Sequence, residues 1–215
     1  MKFAHFSHVW NKPGMTAAAR YDQLWRELAL ADESNFDFGF CVEHHFNPNE
    51  SWMPSPSIYC AAAAAHTRRL RIGAMGNIAP LYDPLRIAED AAVLDNVANG
   101  RFELGLVAGI VPDFFGPYGA DFQNRRAITH EALLFIKQAL SSEGAFSFNG
   151  ESRPYQNVTL GRKTAAKAPS AHLDPFARSR HVGVARPRRR AHRLFIFGAA
   201  PRSRAALSRI FTAVE

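Results

Sequence analysis

Two kinds of segment alternate along the first 161 residues. Short apolar runs, typical of strands, cover residues 2–10, 36–46, 70–79 and 102–110. Each run is followed by a longer segment with apolar residues at helical spacing. A strand followed by a helix, repeated four times, predicts a parallel sheet with crossover helices. We therefore expect an α/β fold.

The predicted helices cover residues 15–34, 57–69, 84–99 and 125–140, and the third ends at an Asn-Gly pair, a common helix stop. The second contains five consecutive alanines, Ala61–Ala65. These alanines indicate either high helix propensity alone or a surface that another helix can approach closely. Beyond the last helix, residues 146–160 contain two short strand-like runs around turn residues, which predict a hairpin.

The most informative stretch is residues 36–46, FDFGFCVEHHF, where an apolar run stops at Glu43, His44 and His45. This pattern indicates a buried strand that presents ionisable side chains at its C-terminal end. In a parallel α/β barrel, catalytic side chains lie at that end. The alternative is a surface turn with histidines, or one buried histidine.

Composition restricts the class of protein. With 215 residues and 47% hydrophobic content, the chain can bury a sizeable core. Its two cysteines, Cys41 and Cys60, lie in apolar surroundings, which favours buried thiols in a reducing compartment. The first ten residues lack the long apolar run of a signal peptide, and no stretch approaches membrane-spanning length. We expect a cytoplasmic protein with no membrane partner.

The net charge of +7 is unevenly distributed. Residues 1–161 contain 13 Lys and Arg against 17 Asp and Glu, whereas residues 162–215 contain 13 against 2. We therefore divide the chain into a conventional region, 1–161, and an atypical basic tail, 162–215.

Several segments of the first region, taken in order, resemble the bacterial luciferase-like family of flavin-dependent monooxygenases. They are the opening KFAHF, the EHHF at residues 43–46, the segment DPLRIAEDAAVLDNVANGRFELGL at 83–106 and FGPYGADFQNRRA at 115–127. The resemblance covers about residues 2–161. It implies a TIM-barrel (β/α)₈ fold, of which this chain carries about four βα units and is therefore truncated.

The resemblance also implies a chemistry. Members of the family use reduced FMN and O₂ to oxidise a small organic substrate such as a long-chain aldehyde. Proton transfers are needed during this reaction, and imidazole titrates in the appropriate range. The chain contains no G-x-G-x-x-G dinucleotide fingerprint, so we expect a separate NAD(P)H-dependent flavin reductase to supply reduced FMN.

Residue roles follow from the same resemblance. His44 is expected to be the general base and Glu43 a supporting carboxylate, although neighbours on a strand face opposite ways. Arg126 matches the arginine that binds the flavin phosphate; otherwise it is an ordinary solvated arginine at a helix start. Met75 and Gly76 fall where family members have a non-proline cis peptide against the flavin ring. No metal site is expected.

The resemblance further implies a homodimer or heterodimer through the helix with Ala61–Ala65, with His45 and Glu89 at the interface. The alternative function is therefore a non-catalytic flavin-binding or dimer-partner subunit. One departure concerns the substrate: the light-emitting luciferase subunit has Cys-Arg after its fourth strand, whereas this chain has Val107 and Ala108. That difference argues against luciferase itself and for a different substrate.

The tail does not continue the barrel pattern. Residues 162–193 are rich in Arg, Ala, Pro and His, which favours a shift of reading frame near Gly161 in a G+C-rich gene. A second shift would restore a strand and a helix from residue 194 onward. Alternatively, the basic run at 186–193 is an arm that binds phosphates, or the tail is a solvated segment. No aromatic residues interleave with the run, so we expect no nucleic-acid partner.

Overall fold

The computed structural model describes residues 2–10 and 12–161 and, as backbone, one strand at 194–197. The strands and helices alternate as expected. In chain order they are β1 (Ala4–Ser7), α1 (Ala17–Glu33), β2 (Phe38–Cys41), α2 (Pro56–His66), β3 (Arg71–Ala74), β4 (Asn77–Ile78), α3 (Pro84–Val97), β5 (Phe102–Val107), α4 (Arg125–Ser141), β6 (Phe146–Phe148), β7 (Tyr155–Val158) and β8 (Leu194–Phe197).

The central sheet is parallel throughout. β1 pairs with β2, β2 with β3, β3 and β4 with β5, and β5 with β8. β4 and β8 both pair with the end of β5, so they must lie on its opposite edges, and β3 and β4 form one interrupted strand. The predicted α/β class is therefore confirmed. The strand expected at residue 194 is also present, whereas the helix expected after it and the basic run at 186–193 lie outside the described residues.

The helices cover one face of this sheet. A side chain on Gly39 of β2 would lie 2.7 Å from Leu70 and 2.8 Å from Leu28 of α1, so this position faces the helical layer. Its neighbours Phe38 and Phe40 must face the other way, because successive strand residues alternate. Their rings stack at 5.3 Å between centroids on what would be the inner wall of a barrel.

Two of the four helices, α1 and α3, begin at a side chain that caps the first turn. Thr16 accepts a hydrogen bond from the Ala19 amide at 3.2 Å at the start of α1. Asp83 does the same for Leu85 at 2.8 Å at the start of α3, with Pro84 in the first turn. These contacts satisfy amides that a helix leaves without partners.

The expected hairpin is formed by β6 and β7, which are antiparallel. Its turn is held by Glu131 of α4, whose carboxylate accepts hydrogen bonds from the amides of Glu151, Ser152 and Arg153. At its far side, the Tyr155 hydroxyl donates to Asp83 at 2.6 Å. The β6–β7 hairpin therefore packs against α4 and the start of α3.

Two predicted strands are shorter or less regular than expected. The stretch 36–46 is strand only over Phe38–Cys41, and 70–79 is divided into β3 and β4. After β2, the His44 amide bonds to the Met53 carbonyl at 3.0 Å, and Phe46 adopts a φ of 57°. The backbone thus leaves the sheet at the point where the ionisable residues begin.

Candidate functional site

The candidate site lies where the parallel strands end. His8 follows β1, Glu43–His45 follow β2, and Met75 and Gly76 separate β3 from β4. The start of α4 is held at the same end, because Arg125 donates to the carbonyl of Gly109, just beyond β5, at 3.2 Å. The carboxyl ends of parallel strands are where α/β proteins place functional groups.

Glu43 lies at the centre of a buried hydrogen-bond network. Its Oε1 is 2.7 Å from Nε2 of His45 and accepts from the Tyr82 hydroxyl at 2.7 Å, while its Oε2 accepts from the Ile78 amide at 2.7 Å. The hydroxyl of Tyr118 is 3.2 Å from the other ring nitrogen of His45. The side chains of Glu43 and His45 are 0% and 1% exposed. We call Glu43, His45, Tyr82, Tyr118 and the Ile78 amide the Glu43 network.

Burial, together with the nearby Glu43 carboxylate, raises the pKa of Tyr82 far above its usual range. The Tyr82 hydroxyl therefore stays protonated and acts only as a hydrogen-bond donor to Glu43. The carboxylate has all its close partners inside the protein. This is the arrangement that a buried charge needs.

His44 points away from this network, as expected for the neighbour of a strand-end carboxylate. Its Nδ1 is 3.6 Å from Oε1 of Glu50 and is buried with no hydrogen-bond partner in the part of the chain that the structure describes. Its ring lies 4.2 Å from that of His8 and meets Phe114 edge-on at 5.6 Å. The structure thus places Glu43 against His45, not against His44.

The pKa of His44 is lowered from its usual 6.5, chiefly by burial and then by the neighbouring His8, while Glu50 acts in the opposite direction. His44 is therefore neutral at pH 7. A neutral imidazole whose ring nitrogen has no partner can accept a proton. This state is the one that a general base requires.

Two members of the site were missed from the sequence, His8 and Glu50. Nε2 of His8 is 3.3 Å from Oε1 of Glu50, and the His8 ring stacks on Trp10 at 4.0 Å. His8 could have been found, because it follows an apolar run just as His44 does. Glu50 could not, since it lies in a loop with no spacing signal. Between His8 and Trp10, the buried Val9 has a φ of 51°, a strained value for a β-branched residue.

The peptide bond between Met75 and Gly76 is cis, as the resemblance implied. A side chain on Gly76 would lie 2.8 Å from the backbone of Gly105 on β5. A side chain on Gly73 would lie only 2.3 Å from the Glu103 carbonyl oxygen, and one on Gly105 only 2.2 Å from that of Ala74. The strands here approach so closely that only glycine fits.

Arg126 lies in the first turn of α4 and is exposed. Among the described residues it forms no hydrogen bond or ion pair, in contrast to Arg125, which bonds to the carbonyls of Gly109 and Phe122 and covers the Phe122 ring at 3.9 Å. Of the two adjacent arginines, Arg125 anchors the start of α4 to the segment that follows β5, whereas Arg126 is exposed and available to a ligand.

The residues expected at a dimer interface differ in their exposure. Ala61 and Ala65 are exposed on α2, beside Ile58 at 70% exposure, so the small-residue face is accessible. Glu89 is also half exposed, with its side chain at 51%. His45, in contrast, is 3% exposed and has both ring nitrogens bonded within its own subunit, so it does not face outward.

Comparison with known proteins now identifies the family. The sequence pattern of the luciferase-like monooxygenases matches residues 1–206, well beyond the limit at 161 set from the sequence. The chain belongs to the luciferase-like monooxygenase family. An alkanal monooxygenase alpha chain of Aliivibrio fischeri is 28% identical over 169 residues, covering 78% of this chain and 47% of that protein. An uncharacterised Sinorhizobium fredii protein is 30% identical over 79% of this chain and 47% of its own length.

Solved structures agree on the fold. The monooxygenase RslO1 from Streptomyces bottropensis superposes with a TM-score of 0.76 at 24% identity, over 99% of this chain and 57% of that one. The oxygenating component of 3,6-diketocamphane monooxygenase from Pseudomonas putida, solved with FMN, gives a TM-score of 0.66 at 24% identity, over 72% of this chain and 43% of that one. The chain spans about half the length of the curated relatives it matches. None of the helices in the described part is long and apolar enough to cross a membrane.

Proposed function

We propose that the protein binds reduced FMN and uses O₂ to oxidise a small organic substrate, such as an aldehyde, with His44 as the general base. The observation that carries this proposal is the buried Nδ1 of a neutral His44 at the C-terminal end of β2, which has no hydrogen-bond partner among residues 2–10 and 12–161. Membership of a monooxygenase family gives the reaction class. The names of the alkanal monooxygenase relatives suggest the aldehyde.

The residues at this end of the sheet suit FMN. Arg126 offers an exposed cation, with no ion pair to the described residues, at the start of a helix, where backbone amides also favour a phosphate. The backbone at Met75 and Gly76, between β3 and β4, would lie against the flavin ring. His44 would face it from β2. Glu43 acts as a positioning residue, because it holds His45 and the Ile78 amide and does not contact His44.

When bound, reduced FMN would supply the two electrons that activate O₂. The overall reaction would place one oxygen atom of O₂ in the substrate, converting an aldehyde to an acid, and would release the other as water, with two hydrogens supplied by reduced FMN. The chain's own part is to hold the flavin and to move protons. His44 accepts a proton at Nδ1 and returns it, while Phe114 shields one side of its ring.

The test is His44→Ala, assayed with reduced FMN from a separate flavin reductase and a long-chain aldehyde. We expect oxidation to fall about 10²–10⁴-fold with flavin affinity unchanged, since a positioned general base contributes that much. The matched control is His66→Ala, because His66 is exposed on α2, and it should retain full activity. Equal turnover in His44→Ala and His66→Ala would exclude His44 as the base.

The role proposed for Arg126 has its own test. Arg126→Ala should weaken binding of FMN but leave binding of riboflavin, which lacks the phosphate, unchanged. A charge-assisted hydrogen bond between arginine and phosphate contributes about 1.5–3 kcal/mol, or roughly 10–150-fold in affinity. Lys137→Ala, on the same helix, is the control. If the two ligands lose affinity equally, Arg126 is an ordinary solvated arginine.

A second candidate function, a non-catalytic flavin-binding or dimer-partner subunit, is favoured by the exposed face of α2. Ile58, Ala61 and Ala65 form an accessible apolar strip there. Sedimentation of the full chain distinguishes the two functions when combined with the turnover assay. Tight association without oxidation of any added aldehyde supports the second function. Oxidation that is abolished by His44→Ala supports the first.

A further inference from the structure

We propose that His8, His44 and Glu50 form a binding site for a first-row divalent metal ion of the zinc class. The three side chains come from the end of β1, the end of β2 and the loop beyond it, so only the fold brings them together. Binding a metal here needs no flavin, so this proposal is independent of the function proposed above.

Two of the three distances between donor atoms match those of a tetrahedral metal site. Nε2 of His8 is 3.3 Å from Oε1 of Glu50, and Nδ1 of His44 is 3.6 Å from the same oxygen. All three donor atoms lie within 4.8 Å of one another. Bonds of about 2.0–2.2 Å in a tetrahedral zinc site separate the ligand atoms by roughly 3.3–3.6 Å. A metal ion could therefore be accepted with small rotations of these side chains.

The donor set selects the kind of ion. Two imidazoles and one carboxylate are the ligands that zinc and its first-row neighbours use, and three protein ligands leave a fourth position for water or substrate. Calcium and magnesium prefer sites made of oxygen atoms. We therefore expect Zn²⁺ and Co²⁺ to bind and Mg²⁺ to be excluded.

The ligands are held in place before any metal binds. Trp10 stacks on the His8 ring, and the Ser51 hydroxyl donates to the His8 carbonyl at 2.6 Å. The Asn47 amide donates to the second carboxylate oxygen of Glu50 at 3.1 Å. Nδ1 of His44 is buried without a hydrogen bond to any residue that the structure describes, so its lone pair is available there for a metal. Such support lowers the cost of ordering ligands around a metal.

A second histidine–glutamate pair on the protein offers a comparison. His5 and Glu27 are 3.5 Å apart, a separation like those in the proposed site. There the third neighbour is Arg20, which lies 3.5 Å from the same carboxylate and would repel a cation. His5 and Glu27 therefore serve as a control for metal binding, because they offer two potential ligands but have a positive charge where a third ligand would be.

Occupancy would also affect the chemistry proposed for His44. A metal bound at Nδ1 uses the lone pair that a general base needs. Zn²⁺ should then inhibit the oxidation of aldehyde by reduced FMN, and a chelator should restore it. This effect follows only if both proposals hold, so the binding experiment below is carried out without flavin.

The experiment is a titration of the full chain, freed of metal with a chelator, with Zn²⁺ by calorimetry and with Co²⁺ by visible absorption. We expect one high-affinity ion per chain and the intense visible bands of a four-coordinate cobalt site. Loss of groups that only support metal ligands weakens affinity about 10–100-fold. His8→Gln and Glu50→Gln, which remove direct ligands, should lose at least about 100-fold. His5→Gln should bind as tightly as the unaltered chain.

The outcomes separate cleanly. The chain has nine histidines, so zinc that binds equally well to His8→Gln, Glu50→Gln and His5→Gln would lie elsewhere and would overturn the proposal. Circular dichroism checks that the variants fold. If they do not, the cobalt spectrum of the unaltered chain decides: weak six-coordinate bands, or binding of Mg²⁺ as tight as that of Zn²⁺, would also overturn it.

Discussion

Two histidine–glutamate clusters lie side by side at the end of β2, and they differ in almost every physical respect. Glu43 and His45 are fully buried, 2.7 Å apart, and surrounded by partners. His44 and Glu50 are 3.6 Å apart, with side chains 19% and 33% exposed, and Nδ1 of His44 has no hydrogen bond. Adjacent residues of one short segment thus lie in two different environments.

This difference in burial and hydrogen bonding indicates a structural role for one cluster and a chemical role for the other. A buried carboxylate whose oxygens are all occupied holds the backbone and cannot easily take part in proton transfer. A partly exposed imidazole without a hydrogen bond can accept a proton or a metal ion. Of the three ionisable residues that follow β2, His44 is therefore the one available for chemistry, whereas Glu43 bonds to the Ile78 amide of β4 and to His45.

The largest effect should come from removing the centre of the buried cluster. Glu43→Ala leaves His45, the Tyr82 hydroxyl and the Ile78 amide without their common acceptor, and breaking a buried pair in this way costs about 3–5 kcal/mol. Urea unfolding measures the change. Glu50→Ala, in the looser cluster, should change the free energy of unfolding by no more than about 1 kcal/mol. Similar losses of unfolding free energy in the two variants would contradict the proposed difference between the clusters.

A smaller effect is expected at the edge of the network. Tyr82→Phe removes one hydrogen bond to the Glu43 carboxylate, and such bonds to charged groups contribute about 1.5–3 kcal/mol. Tyr118→Phe is the matched control, because its hydroxyl is 3.2 Å from His45 and the residue is 46% exposed. It should lose less than about 1 kcal/mol. Urea unfolding of the two variants side by side gives the ranking, and a reversed order would contradict it.

The smallest effect is a pH dependence. Burial and His8 lower the pKa of His44 below 6.5, so the proposed base stays neutral and active to a pH below that value, and oxidation should fall only on further acidification. Since the unfolded chain binds the proton more readily, this histidine also makes stability decrease as pH falls below about 6.5. Glu50 acts to raise the pKa, so Glu50→Gln should move the acid limb of the rate profile to lower pH. An acid limb that stays in place or moves to higher pH would show that Glu50 does not raise the pKa of His44.

Much of the architecture could be predicted from the sequence. All four helices of the first region lie within a few residues of their predicted bounds, because their apolar periodicity and their caps are local properties. Strand bounds were less accurate. The run at 70–79 is a single apolar segment in the sequence, but its pairing with β5 shifts by one residue between β3 and β4. Strand register depends on the neighbouring strand and cannot be predicted from the sequence of one strand alone.

The sequence by itself determined the alternation of strand and helix and the placing of Glu43, His44 and His45 at the end of a strand, because hydrophobic periodicity and residue order are local. Only the tertiary structure decided their partners. Glu43 bonds to Tyr82, 39 positions away, and His44 meets His8, 36 positions earlier, since parallel strands bring their carboxyl ends together regardless of separation along the chain. Which histidine is buried and which is available depends on these distant contacts.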